Sequence, residues 1–471
     1  MTWAGGVGVL SSAKIGCGSW RYYTQGVACQ ATDYYLGHGE APGRWHGRGL
    51  AAVGLEPGLA VSEQQLEALF ARALHPSTGQ RLGSVWRKDG VTGFDLTFSA
   101  PKTCSALWAL GSGEVAAAVK ASHQAAVQAG LAYLDTYASR SRRGTNGVEQ
   151  ITSDGLAVAL FDHRTSREGD PQLHTHALVV NKVRCTDGTW RTLDAKDLFG
   201  HKKSAGMIYQ AALRNELHQR LDVQFGEVNE HGQAEILGMP TDLCKLWSKR
   251  TTAIDAEAAP KIIEYEKLLG RTLSRAERAA VVKTAVLKTR PGKTHPEPQS
   301  LQQGWTAEAA RAGWTPEQVL RAVGPLNAVV PAQSAGSNEH DEAARVLAAL
   351  QAAGQRQAVF SRADVAGQVA AHLPTSGLTA SEVVAKVEAF TDQALALVEA
   401  VPVGSPVRGG TPRASDARYA TVQVLSAEAR ILALARQGRL GGYGRVPDER
   451  VKLAAAQAGR LDPDQQYALG R

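Results

Sequence analysis

The sequence predicts a chain of mixed α and β structure. Residues Gly93–Phe98 read G-F-D-L-T-F, apolar and polar in alternation, the pattern of a half-buried strand. Two apolar runs, Gly155–Phe161 and Gln172–Asn181, have strand-like length and composition, and the polar segment Asp162–Gly169 joins them. Around these strands lie long stretches with helical spacing, many of them Ala-rich. At 471 residues the chain is too long for one small domain, and a prior of roughly 150 residues per domain points to about two or three.

Taken in order, the first 40 residues are dense in tyrosine, with Tyr22-Tyr23 and then Tyr34-Tyr35. Glu63–Leu74 is expected to be helical, with Leu66, Leu69, Phe70 and Leu74 on one face. The strand Gly93–Phe98 runs into Ser99-Ala100-Pro101-Lys102, after which Thr103–Leu110 and Glu114–Thr136 read as helices. Met207–Leu221 is an amphipathic helix by pattern, and Thr251–Thr289 is helical, Ala-rich and charged. Composition shifts over Gly324–His340, where Pro325, Pro331 and the run Gln333–Asn338 read as a linker. Asp341–Ala400 reads as two or three Ala/Val-rich helices, Val401–Ser415 as a Gly/Pro/Arg-rich loop, and Ala420–Leu434 as periodic again. The expected division is a functional domain over 1–300, a linker over 301–340 and a smaller, mostly helical segment over 341–471.

Several classes are excluded. No stretch approaches the roughly 20 consecutive apolar residues of a membrane span. The N-terminus lacks a basic region ahead of its short apolar run, so no signal peptide is read there. A soluble, cytoplasmic protein without membrane insertion is expected. The five cysteines, Cys17, Cys29, Cys104, Cys185 and Cys244, are odd in number and contain no C-x-x-C pair. That argues against a disulfide framework or a cysteine zinc site and fits a reducing compartment. Gly292-Lys293-Thr294 looks like the end of a phosphate-binding loop, but Leu287 stands where the first glycine is required. No G-x-x-x-x-G-K-[ST] occurs, so ATP binding is not expected. The net charge is +7, and residues 301–471 carry 17 Lys and Arg against 16 Asp and Glu. The positive excess therefore lies in the first 300 residues, as suits a polyanionic partner.

The sharpest motif is His163 followed by His174-Thr175-His176, three of the 13 histidines within 14 residues. On a strand, positions i and i+2 share a face, so His174 and His176 project together while Thr175 points away. If the strand ending near His163 is their neighbour, the three imidazoles form a metal site with positions left open for substrate. The plainer alternative is a strand bearing exposed or hydrogen-bonded histidines. The tyrosine pairs are the second feature. A phenol with a pKa of roughly 10 is a poor nucleophile unless a base or a metal's field assists it. Tyr-Tyr pairs are otherwise core or interface aromatics. A tyrosine, a divalent metal and a basic surface together are the parts needed to attack a phosphodiester.

These residues resemble the MobF family of conjugative relaxases, whose relaxase domain belongs to the HUH endonucleases. The resemblance is carried by Tyr22-Tyr23, Asp33-Tyr34-Tyr35, Trp45-His46-Gly47-Arg48-Gly49, and Phe94 through Lys102. It continues through His163-Arg164-Thr165-Ser166-Arg167, Asp170-Pro171-Gln172-Leu173-His174-Thr175-His176, the turn Asp187–Leu193, and Trp247-Ser248-Lys249-Arg250. In that order the stretches cover about 300 residues. The spacer Thr24–Asp33 is longer than is usual in the family and holds Cys29, and T-C-S follows Lys102 where S-V-S is usual.

The resemblance implies an α/β palm with an antiparallel sheet, a helical fingers region around 240–300, and a metal held by His163, His174 and His176. It implies that Tyr22 is the first nucleophile and Tyr34 the second, with Tyr23 and Tyr35 as their neighbours in the pairs. Asp95 matches the family's carboxylate, which accepts a hydrogen bond near the histidines and assists deprotonation of the tyrosine. Arg21, Arg48, Lys102, Arg167 and Arg191 are the candidate DNA contacts. The implied reaction is site- and strand-specific nicking at a plasmid transfer origin, with a covalent 5′-phosphotyrosyl intermediate and later rejoining. Mg or Mn is the ion expected in use, and three imidazoles also accept Zn, Ni or Co. The implied partners are single-stranded origin DNA with its adjacent hairpin, accessory relaxosome proteins and a type IV secretion coupling protein. The implied setting is bacterial and plasmid-encoded, with passage to the recipient cell alongside the DNA. Arg418–Leu434 and Leu461–Gln466 resemble the lead-in to the helicase half of longer relaxases, so the chain reads as part of a larger relaxase–helicase.

Rival readings remain at this point. A rolling-circle replication initiator shares the chemistry, although the W-x-G-R-G and S-x-P-K-type stretches favour a relaxase. A non-catalytic DNA-binding protein with a structural metal would have no use for the tyrosines. A small-molecule metal hydrolase or oxygenase would have no use for the basic N-terminal half. A chain ending near Pro325 is expected to nick as fast as the whole.

Overall fold

The computed structural model describes residues 10–16, 43–166, 168–289, 298–326, 339–401, 416–440, 449–450 and 453. Its strands begin with β1 (Leu10–Gly16), β2 (Arg44–His46) and β3 (Val91–Ser99). A ribbon of β4 (Arg140–Arg143) and β5 (Glu149–Thr152) follows, then β6 (Val158–Thr165) and β7 (Pro171–Val180). A second short ribbon pairs β8 (Val183–Arg184) with β9 (Trp190–Arg191). The main sheet has the order β1-β3-β7-β6-β2, and every neighbouring pair in it is antiparallel. Strand β7 is therefore central, and both of its edges are paired.

Alternation along β7 decides what each face does. Leu173, Ala177 and Val179 enter the larger core, together with Leu96 and Phe98 of β3 and Val158 and Leu160 of β6. Helices α2 (Lys102–Leu110), α3 (Gly113–Tyr137) and α4 (Ala195–Leu221) cover that face. Leu178 and Val180 point the other way, into a smaller core with Trp45, Leu50 and Phe70. Helix α1 (Glu63–Leu66), which runs on into a π-helical turn at Glu67–Arg72, closes this second face. His174 and His176 share its parity. The W-H-G-R-G stretch leads off β2 over the chain at 155–156. A Cβ on Gly47, which has φ 110°, would lie 2.2 Å from the Leu156 carbonyl oxygen, so only glycine fits there.

Helix α4 begins at Ala195 and not at Met207, where its amphipathic pattern starts. In its first half His201 bonds Tyr133 of α3 and Ser204 donates to the Ala363 carbonyl of a later helix, so it packs on more than one side and no single apolar stripe marks it. The stretch Thr251–Thr289 is two helices after α5 (Thr241–Leu246): α6 (Lys249–Leu269) and α7 (Arg275–Lys288). Gly270, left-handed at φ 65°, caps the first of them.

The expected boundaries need correcting. Much of the stretch read as a linker is helical, as α8 (Pro298–Arg311) and α9 (Pro316–Val323), and Trp305 of α8 is buried against Trp108. Helices α10 (Glu339–Arg356), α11 (Arg362–His372) and α12 (Ala380–Ala396) do not form a separate domain. Their Val346, Leu350, Val365, Val369, Val383 and Phe390 belong to the same core as α4. Asn215 and Glu216 of α4 bond the backbone at Ser376 and Ala380, at 2.9 and 2.7 Å. Tyr137 of α3 donates to Glu388, and Arg362 donates to both. The chain divides instead into a unit Met1–Tyr419 and a unit Ala420–Arg471, the latter carrying α13 (Val422–Leu440). Proline-rich composition marked the interruption at 324–340, but composition does not say whether the chain returns to the same core.

A testable consequence follows for a chain ending at Leu326. It exposes the α4 face and strands the buried Asn215 and Glu216 side chains. Several kcal/mol of lost packing corresponds to a fall in melting temperature of roughly 10 °C. A melting curve superimposing on that of the full chain would contradict the shared core.

Candidate metal and nucleic-acid site

Strands β6 and β7 pair with His163 opposite His174 and Phe161 opposite His176. Residues directly opposed across an antiparallel pair face the same side, and i and i+2 do too, so the three imidazoles converge. Their ring centroids are 5.2, 5.0 and 5.3 Å apart. One ring nitrogen from each lies within 4.8 Å of the others. The condition left open by the sequence, that the two strands be neighbours, is met.

The surroundings prepare the rings as ligands. His176 places Nδ1 at 2.9 Å from both oxygens of Asp95, which β3 presents on the same face. Thr97 adds its hydroxyl at 3.2 Å from the same nitrogen. His174 Nδ1 donates to the Gln172 carbonyl at 2.9 Å. Each contact ties up Nδ1 and leaves Nε2 to face the centre, the arrangement in which an outer carboxylate or carbonyl orients a metal-ligating imidazole. Burial, and after it the neighbouring His176, lower the His174 pKa to about 3, so that ring is neutral and its lone pair is free at ordinary pH. Three imidazoles so placed fit a divalent cation with further positions open.

Asp95 thus stands where the sequence placed it. Other expected contacts have structural partners. Lys102 opens α2 and points its Nζ at the Pro171 carbonyl, 2.8 Å away, pinning the start of β7. Burial lowers its pKa to about 8. Arg48 bonds the Asp135 carboxylate and carbonyl at the end of α3 while most of its side chain remains exposed. Arg191 pairs with Asp187 at 2.8 Å and lines an open groove of about 570 Å³. Arg21, Tyr22, Tyr23, Tyr34, Tyr35 and Arg167 lie outside the described residues.

Sequence reasoning missed the rest of that groove. Arg142 and Arg143 of β4, Lys182 before β8 and Trp190 of β9 line it beside Arg191. Lys182 also lies 4.8 Å over the Trp86 ring. The run R-S-R-R at 140–143 was the available signal, but a short charge run is usually a solvated face. Also missed was a clamp on the loop between the metal strands. Lys249, the first residue of α6, sits 3.2 Å from the buried Asp170, and its backbone N–H donates to the same carboxylate at 3.0 Å. Trp305 donates to the Gly169 carbonyl at 2.8 Å, and Glu308 accepts from Lys249 at 3.0 Å. Helices α6 and α8 therefore hold the connection from His163 to His174. No short-range pattern reveals it, because Glu308 is 59 residues from Lys249.

Comparisons with known proteins now bear on this site. The family model described as TrwC relaxase matches residues 18–312. The multifunctional conjugation protein TraI of Escherichia coli is 26% identical over 410 residues, which cover 84% of this chain and 21% of TraI. The chain thus spans about a fifth of the length of that relative. Among solved structures, conjugative relaxase TrwC in complex with oriT DNA, in a metal-bound form, is 28% identical with a TM-score of 0.50. The match covers 65% of this chain and 99% of that one. TrwC complexed with a 27-mer DNA comprising the recognition hairpin and the cleavage site is 27% identical, with a TM-score of 0.50 and the same coverage.

Proposed function

This chain belongs to the TrwC relaxase family, and from that premise we propose that it nicks and rejoins one strand of a plasmid's origin-of-transfer DNA. The observation that carries the reading is the three-imidazole cluster on β6 and β7, with Asp95 behind His176. In the proposed reaction the phenol oxygen of Tyr22, once it has lost its proton, attacks the scissile phosphorus. The bond from phosphorus to the sugar 3′-oxygen breaks, and that oxygen leaves as a hydroxyl after taking up a proton. The bond energy is kept in a 5′-phosphotyrosyl link, so the strand can later be rejoined. His163, His174 and His176 would hold a divalent cation, which when bound would supply Lewis-acid polarisation of the scissile phosphate, worth several kcal/mol. Asp95 holds His176 in its ligand tautomer, Gln172 does the same for His174, and the Lys249–Asp170 clamp fixes the loop between the two ligand strands.

Tyr34 is the proposed second nucleophile, with Tyr23 and Tyr35 completing the pairs. Mg or Mn is the proposed working ion, and Zn, Ni or Co can occupy the same three nitrogens. Arg142, Arg143, Lys182 and Arg191 supply a positive groove, with Trp190 as an aromatic face, and their chemistry fits phosphates and a stacked base. Arg21, Arg48 and Arg167 are proposed as further DNA contacts. The proposed partners are single-stranded origin DNA with its hairpin, accessory relaxosome proteins and a secretion coupling protein. Among the described residues no helix is long and apolar enough to cross a membrane, and the proposed site of action is the cytoplasm.

The test is direct. With labelled single-stranded DNA from its own plasmid's transfer origin and Mn²⁺, the protein should form an adduct that survives denaturation, and excess chelator should prevent it. Strand cleavage that proceeds without any such adduct would contradict the reading.

A further inference from the structure

Between the two ligand histidines of β7 stands Thr175, fully buried on the opposite face of the sheet. Packing alone would be served there by valine. A hydroxyl buried in an apolar core needs bonds to offset its desolvation. Thr175 donates to Asp162 Oδ1 at 2.7 Å and lies 2.8 Å from His123 Nε2 on α3. His123 Nδ1 in turn lies 2.9 Å from the Tyr209 hydroxyl on α4. Burial lowers the His123 pKa to about 4, so its ring is neutral and carries one N–H. Because the single Thr175 hydrogen goes to the carboxylate, Thr175 must accept from His123 Nε2–H. His123 Nδ1 must then accept from Tyr209. The bonds run in one direction, Tyr209 to His123 to Thr175 to Asp162, with each partner satisfied.

The carboxylate at the end collects more. Arg44, the first residue of β2, reaches Asp162 Oδ2 at 2.7 Å, and Gln124 of α3 donates to it at 2.8 Å. Burial works against this carboxylate, but Arg44 and the Thr175 hydroxyl outweigh it and hold its pKa below the usual range. Asp162 and Thr175 are directly opposed in the β6–β7 register, one residue before His163 and one after His174. A slip of one residue in a strand turns every side chain to the other face. It would bury the two imidazoles against α3 and α4 and carry Thr175 to the metal face. The same carboxylate also anchors β2, whose first residue, Arg44, stands ten residues after Tyr34 in the sequence.

We propose that Asp162, Thr175 and His123 are positioning residues of the metal centre, a register lock on the back of the sheet that sets His163, His174 and His176 in ligand geometry. The proposal rests on the three histidines holding a metal. Asp162, Thr175 and His123 meet on the face of the sheet opposite the three histidines and act on the metal only through the strands that carry its ligands. The full chain, stripped of metal, is titrated with Co²⁺, read by calorimetry and by its visible ligand-field absorption. Thr175→Val keeps the shape and removes the hydroxyl, and Thr175→Ser restores it. The valine variant should bind Co²⁺ about tenfold or more weakly with an altered absorption band, and the serine variant should return to within about threefold of the parent. Should valine prevent folding, Asp162→Asn is read in the same way, with the same weakening expected. Parental affinity and spectrum in a folded Thr175→Val or Asp162→Asn variant, even with a lower melting temperature, would overturn the lock while leaving the metal reading intact. Failure of the unaltered chain to bind Co²⁺ would overturn both.

Discussion

Replacing His174 with alanine is expected to abolish tight metal binding and to slow strand cleavage by about a thousandfold, the equivalent of losing roughly 4 kcal/mol of transition-state stabilisation. His174 is tied into the cluster from several directions. It opposes His163 across the ladder, sits two residues from His176, and has its Nδ1 held by Gln172. Two imidazoles left behind would hold a divalent ion far less firmly than three. The ring points away from the larger core, so the fold should survive its removal. Metal content and single-turnover cleavage check the prediction together. Cleavage at the parental rate by the alanine variant in excess chelator would refute a role for the metal.

The second large effect is expected from Tyr22→Phe, which removes one oxygen and keeps the ring. Binding of origin DNA should stay within about twofold of the parent, since a single hydroxyl adds little net binding energy. Covalent adduct should be undetectable, because phenylalanine offers no nucleophile. Tyr34→Phe should still form the first adduct and lose the second strand transfer. A Tyr22→Phe protein that still forms adduct at the parental rate would move the nucleophile elsewhere in the chain.

The legibility of this protein in its sequence followed periodicity. Strands β3, β6 and β7 were visible because alternation or an unbroken apolar run marks a buried strand. Strand β2 was not, being three residues long at the sheet edge, nor was β1, whose L-S-S-A-K-I-G mixes small and polar residues along the other edge. Helix α4 was half visible, since packing on more than one side removes the stripe that identifies a helix. The histidines were legible because strand parity alone puts two of them together and one antiparallel neighbour supplies the third. Asp95 came by resemblance and took its expected place beside His176. The bond from Lys102 to the Pro171 carbonyl was not legible, because a motif names a residue without saying which carbonyl its ammonium will meet. Thr175 was passed over as the residue pointing away. Its meaning lies in His123, 52 residues distant, and no local pattern encodes that contact.

The central claim is that a tyrosine near the N-terminus attacks the DNA with the help of the metal strand. The most direct measurement is protease digestion of the adduct formed on origin single-stranded DNA, followed by mass mapping of the nucleotide-bearing peptide. The account predicts a 5′-phosphoryl nucleotide on Tyr22, absent when metal is removed and absent in Tyr22→Phe. A nucleotide mapped to any residue other than Tyr22 in the first round of cleavage would contradict it.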